Sequence, residues 1–274
     1  MRSAQYVQRP LTAVRTAEEA LAGSGIFEGA DPAAVGTLLR RFQPVQFPRG
    51  HVVFERGDAD CRLYVIVQGR VKLAQRTGDD RRGLLEVLGP CDVFGELSAF
   101  DPGPCVSTAT TLTPVRAVHI DRPAIFASLA ESPTLGEPLL RLLARRFRRT
   151  NDALCDMIHV DVPGRLADRL LTLARRFGEP DGDAIRVHHG LTQEELAQLV
   201  GSSRETVNKA LSDFTQRGWL RPLSKGVVIY NPARLARRAG SRAPYPQRTP
   251  RREPRLQPLP PSASAGGALL SAAG

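Results

Sequence analysis

Two helix starts separated by a single glycine limit what residues 191–217, LTQEELAQLVGSSRETVNKALSDFTQR, can become. Thr192 can cap a first helix while Glu195, three residues on, reaches back to the free amide at its start, a reciprocal capping box. Leu196, Leu199 and Val200 then form one buried stripe. Gly201 is free to take a left-handed turn, and Ser202-Ser203 offers the next N-cap, with Glu205 or Thr206 at the third helical position. Val207, Ala210, Leu211 and Phe214 follow at i, i+3, i+4 and i+7. They pack inward and leave Arg204, Glu205, Asn208, Lys209 and Ser212 on the open face. The spacing predicts a helix-turn-helix.

The open face carries the side chains that read base edges. Arg204 can fork onto guanine O6 and N7, Glu205 can accept from cytosine N4, and Lys209 lies one turn later, in reach of another guanine or a phosphate. Thr192, Gln193, Ser203, Thr206 and Asn208 complete the candidate DNA-contacting set. An ordinary surface helix of mixed charge would explain the polarity, but not a short Gly-Ser-Ser turn between two capped helices. Beyond it, Trp219–Pro222 and Val227–Tyr230 are β-prone runs about Ser224-Lys225-Gly226, which predicts a hairpin and so a winged helix-turn-helix.

At 274 residues, with 42% hydrophobic and 24% charged content, the chain has room for two soluble domains. The sequence holds no run of the roughly 18 apolar residues a spanning helix needs, and MRSAQYVQRPLTAVR lacks the apolar core of a signal peptide. A cytoplasmic location without membrane attachment is expected. Cys61, Cys91, Cys105 and Cys155 form no C-x-x-C pair, so free thiols are expected and neither a zinc site nor a disulfide framework is indicated. Of the net charge of +10, most sits in the tail: eight arginines from Arg234 onward face one acid, Glu253. DNA affinity should therefore depend on a local basic face.

Taken in order, residues 1–24 lack a sustained period and are expected as an irregular arm, followed by short helical pieces at Ile26-Phe27 and Val35–Phe42. From Val45 short β-prone runs alternate with glycines: Val45–Phe47, Val52–Phe54, Leu63–Val67, Val71–Ala74, Leu84–Leu88 and Val115–Ile120. Gly50, Gly57, Gly69, Gly78, Gly83 and Gly89 lie between them. A small β-roll over 25–134 follows, of the kind that can enclose one small ligand. Over 135–160 the period turns helical. Leu139, Leu143, Phe147, Thr150, Leu154 and Met157 make a narrow stripe among arginines, which a second copy of the same helix would cover better than a broad core; packing on the roll is the alternative. Asp161 then caps a new helix, opening a DNA-binding domain over 161–238. Residues 239–274, with seven prolines, read as a disordered basic tail.

The order β-roll, long helix, D-V-P-G-R hinge (Asp161–Arg165) and S-R-E-T-V (Ser203–Val207) resembles the cyclic-AMP receptor protein/FNR family of bacterial transcription regulators, most of all its actinobacterial branch. The resemblance spans roughly Ile26 to Arg238. It also rests on Gly57, on Leu63–Gly69 (LYVIVQG) and on Phe94-Gly95-Glu96-Leu97. It implies an α+β fold: a jelly-roll cyclic-nucleotide-binding-like domain, a dimerisation helix and a C-terminal winged helix-turn-helix. It further implies a homodimer that reads a TGTGA-like palindrome on double-stranded DNA and meets RNA polymerase as activator or repressor. Gly95, Glu96 and Leu97 then match the ribose-holding segment, Arg146 a helix arginine near the ribose, and Thr150 with Asn151 the adenine contacts. Where the family pattern has Arg followed by Ser or Thr for the cyclic phosphate, this chain has Cys105 and Val106, then Ser107. An effector pocket without its cation predicts weak dependence on cyclic AMP or none, with an ordinary cyclic-AMP-activated regulator as the alternative; no other cofactor is implied.

Three other readings have less support. An iron–sulfur sensor needs a cysteine cluster, usually N-terminal, whereas the first cysteine is Cys61. A cupin-like metal enzyme needs two or three histidines and a carboxylate on neighbouring strands, and the roll has only His51 and His119, so neither metal nor catalytic residues are assigned. A regulatory subunit acting on a protein partner would not need the reading helix.

Overall fold

The computed structural model describes residues 16–240 apart from 27, 29, 60, 61 and 77–81. The arm before residue 16, Phe27, Cys61, Gly78 and the tail from 241 lie outside the described residues. Residues 16–24 correct the expectation of an irregular arm. Thr16 and Glu19 close a capping box on helix α1, Ala17–Gly23, and its buried Ala20 and Leu21 join the cluster that holds Val65. Two buried positions are too few to show a helical period. Helix α2, Pro32–Leu39, starts on Asp31, whose carboxylate accepts from the amides of Ala33 and Ala34.

Among the described residues the roll has eight strands: β1 Gln43–Phe47, β2 Val52–Phe54, β3 Leu63–Gln68, β4 Val71–Arg76, β5 Arg82–Leu88, β6 Val93–Phe94, β7 Thr108–Thr111 and β8 Val115–Ile120. They form two four-stranded sheets, ordered β1-β8-β3-β6 and β2-β7-β4-β5. Every apolar run of the sequence falls within one of them. β6 and β7 were not legible. The first has two residues, and the second, TATT, is a strand through its pairing with β2 and β4.

One face of the roll packs Phe54, Tyr64, Ile66, Leu88 and Phe94 around Cys105 and Ala109, with the Tyr64 and Phe94 rings stacked at 4.9 Å. Cys105 also corrects a sequence expectation, because it is disulfide-bonded; Cys91 and Cys155 are the free thiols among the described residues. Its backbone is held on both sides. The Gly57 amide donates to the Cys105 carbonyl and the Cys105 amide to the Asp58 carbonyl, both at 2.8 Å, zipping two distant loops together.

The other face packs against α1, α2, helix α4 (Arg122–Glu131) and the start of helix α5 (Gly136–His159). Leu139 is buried there at 6% exposure. It therefore belongs to the roll and not to the open stripe, because the first turns of α5 lie on the roll before the helix leaves it. Beyond that point Phe147, Leu154, Met157 and Ile158 are 67%, 57%, 55% and 67% exposed.

Helix α6, Val162–Phe177, begins where Asp161 accepts from the Gly164 amide at 3.1 Å. The same carboxylate pairs with Arg238 at the end of helix α9, Pro232–Arg238. Helices α7 (Gln193–Val200) and α8 (Arg204–Gln216) follow. The expected wing is strands β11, Leu220–Leu223, and β12, Gly226–Ile229, which extend to an unanticipated hairpin of β9, Gly178–Asp181, and β10, Ala184–Val187. Leu170, Leu173, Leu196, Val207, Phe214 and Ile229 share one core, and Leu84 and Val87 of β5 belong to it as well. The second strand of the roll's β4–β5 hairpin is thus seated in the core of the winged helix. At the base of that seat a Cβ on Gly89 would lie 2.5 Å from the Phe177 ring. Among the described residues no helix is long and apolar enough to cross a membrane.

Candidate nucleic-acid interface and small-molecule pocket

The helix-turn-helix is built from its caps. The Thr192 hydroxyl accepts from the Glu195 amide at 3.1 Å while Glu195 Oε2 accepts from the Thr192 amide at 2.8 Å. Gly201 turns left-handed at φ 71°, and Ser203 Oγ accepts from the Thr206 amide at 3.2 Å to start α8. Each such cap contributes about 1 kcal/mol. Thr192, Ser203 and Thr206 are therefore partly committed to holding the turn, although all three remain exposed. Val207, Ala210, Leu211 and Phe214 are buried, and Glu205, Asn208, Lys209, Ser212, Asp213 and Gln216 share the open face. Gln193 of α7 faces this set. Its Oε1 is 3.4 Å from both Arg204 Nη2 and Asn208 Nδ2, so one amide oxygen aligns two side chains of the next helix.

Just before α7, His189 is 4% exposed and its Nδ1 accepts from the Leu191 amide at 3.1 Å. Burial, then the positive charge of Arg70 and of His188, hold its pKa down to about 4. The folded protein thus binds this proton more weakly than the unfolded chain, whose histidine titrates near 6.5. Stability should be complete above pH 6.5 and fall by about 3 kcal/mol by pH 4 through this group alone. In urea unfolding followed from pH 7 to 4, His189→Asn, whose Oδ1 takes the place of Nδ1 and can accept the same amide, should show a slope shallower by one proton. Parallel curves for the two proteins would refute this role.

The candidate pocket centres on Glu96, at the start of the short helix α3, Glu96–Phe100. Gly95 caps it at φ 83°, with no room for a Cβ against the Arg62 carbonyl. Glu96 is 2% exposed; its Oε1 meets Arg146 Nε at 3.1 Å, and its Oε2 is buried with no partner. Burial pushes its carboxyl up, against the pull of Arg146. Arg146 also donates to the Val93 carbonyl at 3.0 Å and approaches Glu86 at 3.7 Å. The structure thus brings Glu96 and Arg146 together. Cys105 lies buried among apolar side chains, Val106 and Leu97 are each 49% exposed, and Ser107 is buried. On α5, Thr150 gives its hydroxyl to the Arg146 carbonyl at 3.2 Å, and Asn151 is exposed.

Several residues that tie the roll to the winged helix were missed in the sequence. Glu86 of β5 lies between Arg146 and Arg176 of α6, the latter at 3.6 Å, and Arg176 also pairs with Asp92. Lys72 Nζ of β4 lies 2.5 Å from Glu195 Oε1. Burial raises the Glu195 pKa, but hydrogen bonds from Lys72 and Thr192 prevail and hold it below the usual carboxylate range. Arg165, the arginine of D-V-P-G-R, donates to the carbonyls of Val160, Val200 and Gly201 at 2.7, 2.9 and 3.1 Å. It joins the ends of α5 and α7. Of these, Glu195 stood in the capping box and Arg165 in D-V-P-G-R, and neither motif spelled out these partners.

A β-roll around a buried carboxylate, joined by one long helix to a winged helix with an open polar reading face, defines a transcription regulator that carries a small-molecule sensor domain. Residues 44–132 match the cyclic nucleotide-binding domain and residues 164–238 the Crp-like helix-turn-helix domain. The chain is 57% identical over 222 residues to the CRP-like cAMP-activated global transcriptional regulator of Mycobacterium tuberculosis, covering 81% of this chain and 99% of that one. It is 32% identical over 213 residues to the cyclic AMP receptor protein of Thermus thermophilus, covering 78% and 95%. Among solved structures, a CRP-family transcriptional regulator from Thermus thermophilus superposes with a TM-score of 0.62 at 27% identity, covering 72% of this chain and 97% of that one. The chain belongs to the cyclic-AMP receptor protein/FNR family.

Proposed function

We propose that the chain works as a cytoplasmic homodimer that reads a palindrome of TGTGA-type half-sites and meets RNA polymerase there, with little need of cyclic AMP. The observation that carries the DNA reading is the open face of α8, where Arg204, Glu205 and Lys209 stand exposed on a helix capped at Ser203. The exposed stripe from Phe147 to Ile158 supports the dimer. Cys105 and Val106, at the place of the phosphate-binding pair, support the weak dependence on cyclic AMP. A cyclic-AMP-activated regulator with its cation supplied from elsewhere is the second reading, favoured by the names of both similar proteins. The basic residues of 241–274 add phosphate contacts without reading bases.

Selection from a random DNA library should recover a TGTGA-type palindrome with half-sites centred one helical turn apart, a spacing taken from the family. Recovery of no palindrome, or of an unrelated one, would overturn the reading. On the recovered site Arg204→Ala should cost about 1–3 kcal/mol and relax preference at one guanine, because one two-pronged contact is lost. An equal loss on every sequence would instead make Arg204 a phosphate contact.

A further inference from the structure

The reading head is docked against the sensor roll as well as joined to it at the α5–α6 junction. Leu84 and Val87 of β5 are buried in the winged-helix core, at 4% and 3% exposure. Next to this apolar seat Lys72 Nζ meets Glu195 Oε1 at 2.5 Å, with both side chains mostly withdrawn from solvent at 25% and 20% exposure. Glu195 has a second task, since its other oxygen accepts the Thr192 amide and closes the cap of α7. One carboxylate therefore joins the sensor roll to the first turn of the helix-turn-helix. In this docked arrangement Arg204, Glu205 and Lys209 remain exposed.

We infer that Lys72 and Glu195 are positioning residues for DNA recognition: a clamp from the roll that fixes α7 and α8, reading face outward, before DNA arrives. The inference rests on α8 being the reading helix. A head that must be ordered on binding loses affinity in proportion to the fraction of time it spends misplaced. A palindrome demands two heads at one separation, so it feels that loss, whereas an isolated half-site needs one head in any orientation. A half-withdrawn ion pair holds more strongly than a fully exposed one, because less water screens it. Reversing one charge also replaces attraction by repulsion.

The experiment compares the full-length protein with Lys72→Glu and Lys72→Arg. It measures affinity for a TGTGA-type palindrome, affinity for a single half-site duplex, and the radius of gyration of the free protein by small-angle scattering. Lys72→Glu should enlarge the free protein and lower palindrome affinity by roughly 10-fold while half-site affinity stays within about twofold. Lys72→Arg, which keeps the charge, should match wild type in all three. Glu195→Gln keeps an oxygen for the cap and loses the charge; combined with Lys72→Met it should weaken palindrome binding no further than either change alone. An unchanged radius, unchanged palindrome affinity, or an equal fall on palindrome and half-site would each overturn the clamp. If wild type ignores the palindrome altogether, the DNA reading fails, and the scattering comparison alone decides whether the clamp stands.

Discussion

Phe147→Asp combined with Leu154→Asp should convert the protein to monomers on a sizing column with light scattering, and should weaken binding to the full palindrome more than about 100-fold. Both side chains stand well out of their own chain, at 67% and 57% exposure on α5. Burying an exposed Leu or Phe contributes about 1.5–3 kcal/mol, and a two-fold interface counts every residue twice. Removing both from both protomers therefore forfeits about 6–12 kcal/mol before the repulsion of facing carboxylates is added. Loss of the dimer separates the two heads, so the second half-site is no longer bound at the high effective concentration its tether supplies. Leu139 and Leu143 are poorer targets. The first is buried in the roll and the second is half-buried, so their loss would injure the fold along with the interface. A dimer that survives both aspartates would exclude this stripe as the contact between copies.

The second large effect is expected in calorimetric titration with cyclic AMP. A phosphodiester buried without its cation leaves a charge unpaired, which costs on the order of 2–5 kcal/mol. Wild type should bind weakly, and Cys105→Arg with Val106→Thr should raise affinity by about 30- to 4000-fold. Cys105→Ser is the necessary control, because Cys105 is disulfide-bonded and any replacement breaks that link. Serine should leave cyclic-AMP affinity as low as in wild type, which assigns the gain to the new cation. Arg146 is a candidate substitute, but it is already held by Glu96 and the Val93 carbonyl. Micromolar binding by the unaltered protein, with a large rise in DNA affinity, would show that Arg146 or another cation leaves its place to meet the phosphate.

Much of the fold could be read in advance where local chemistry decides it. Thr192, Glu195, Gly201 and Ser203 cap and turn the helix-turn-helix through contacts within three residues of sequence, and apolar period marks the faces of α7 and α8. The strands of the roll were legible wherever Val, Leu and Ile cluster. Elements held by distant pairing were not. β7 is a row of threonines around one alanine, β9 reads Gly-Glu-Pro-Asp, and each is a strand only because a neighbour supplies its hydrogen bonds. The pocket divides along the same line. Glu96 stands in a recognisable segment, but its pairing with Arg146, 50 residues away, and the zipping of the Cys105 loop to Gly57 and Asp58 depend on how the sheets close. Lys72 looks like an ordinary surface charge, and Glu195 like a capping residue alone, until the roll and the winged helix meet.

The contact between Gly89 and Phe177 bears on how such regulators can be recombined. Phe177 ends α6 in the DNA-binding domain, Gly89 follows β5 in the sensor, and the ring edge lies where any side chain at 89 would stand. Arg70 and Arg176 flank the same ring at 5.4 and 5.2 Å, so it has little freedom to yield. A chimera that grafts this sensor onto a relative's reading head inherits one half of a lock and key. Such hybrids should dock the two modules as here only when position 89 and position 177 travel together, which makes this pair the seam along which modules can be cut.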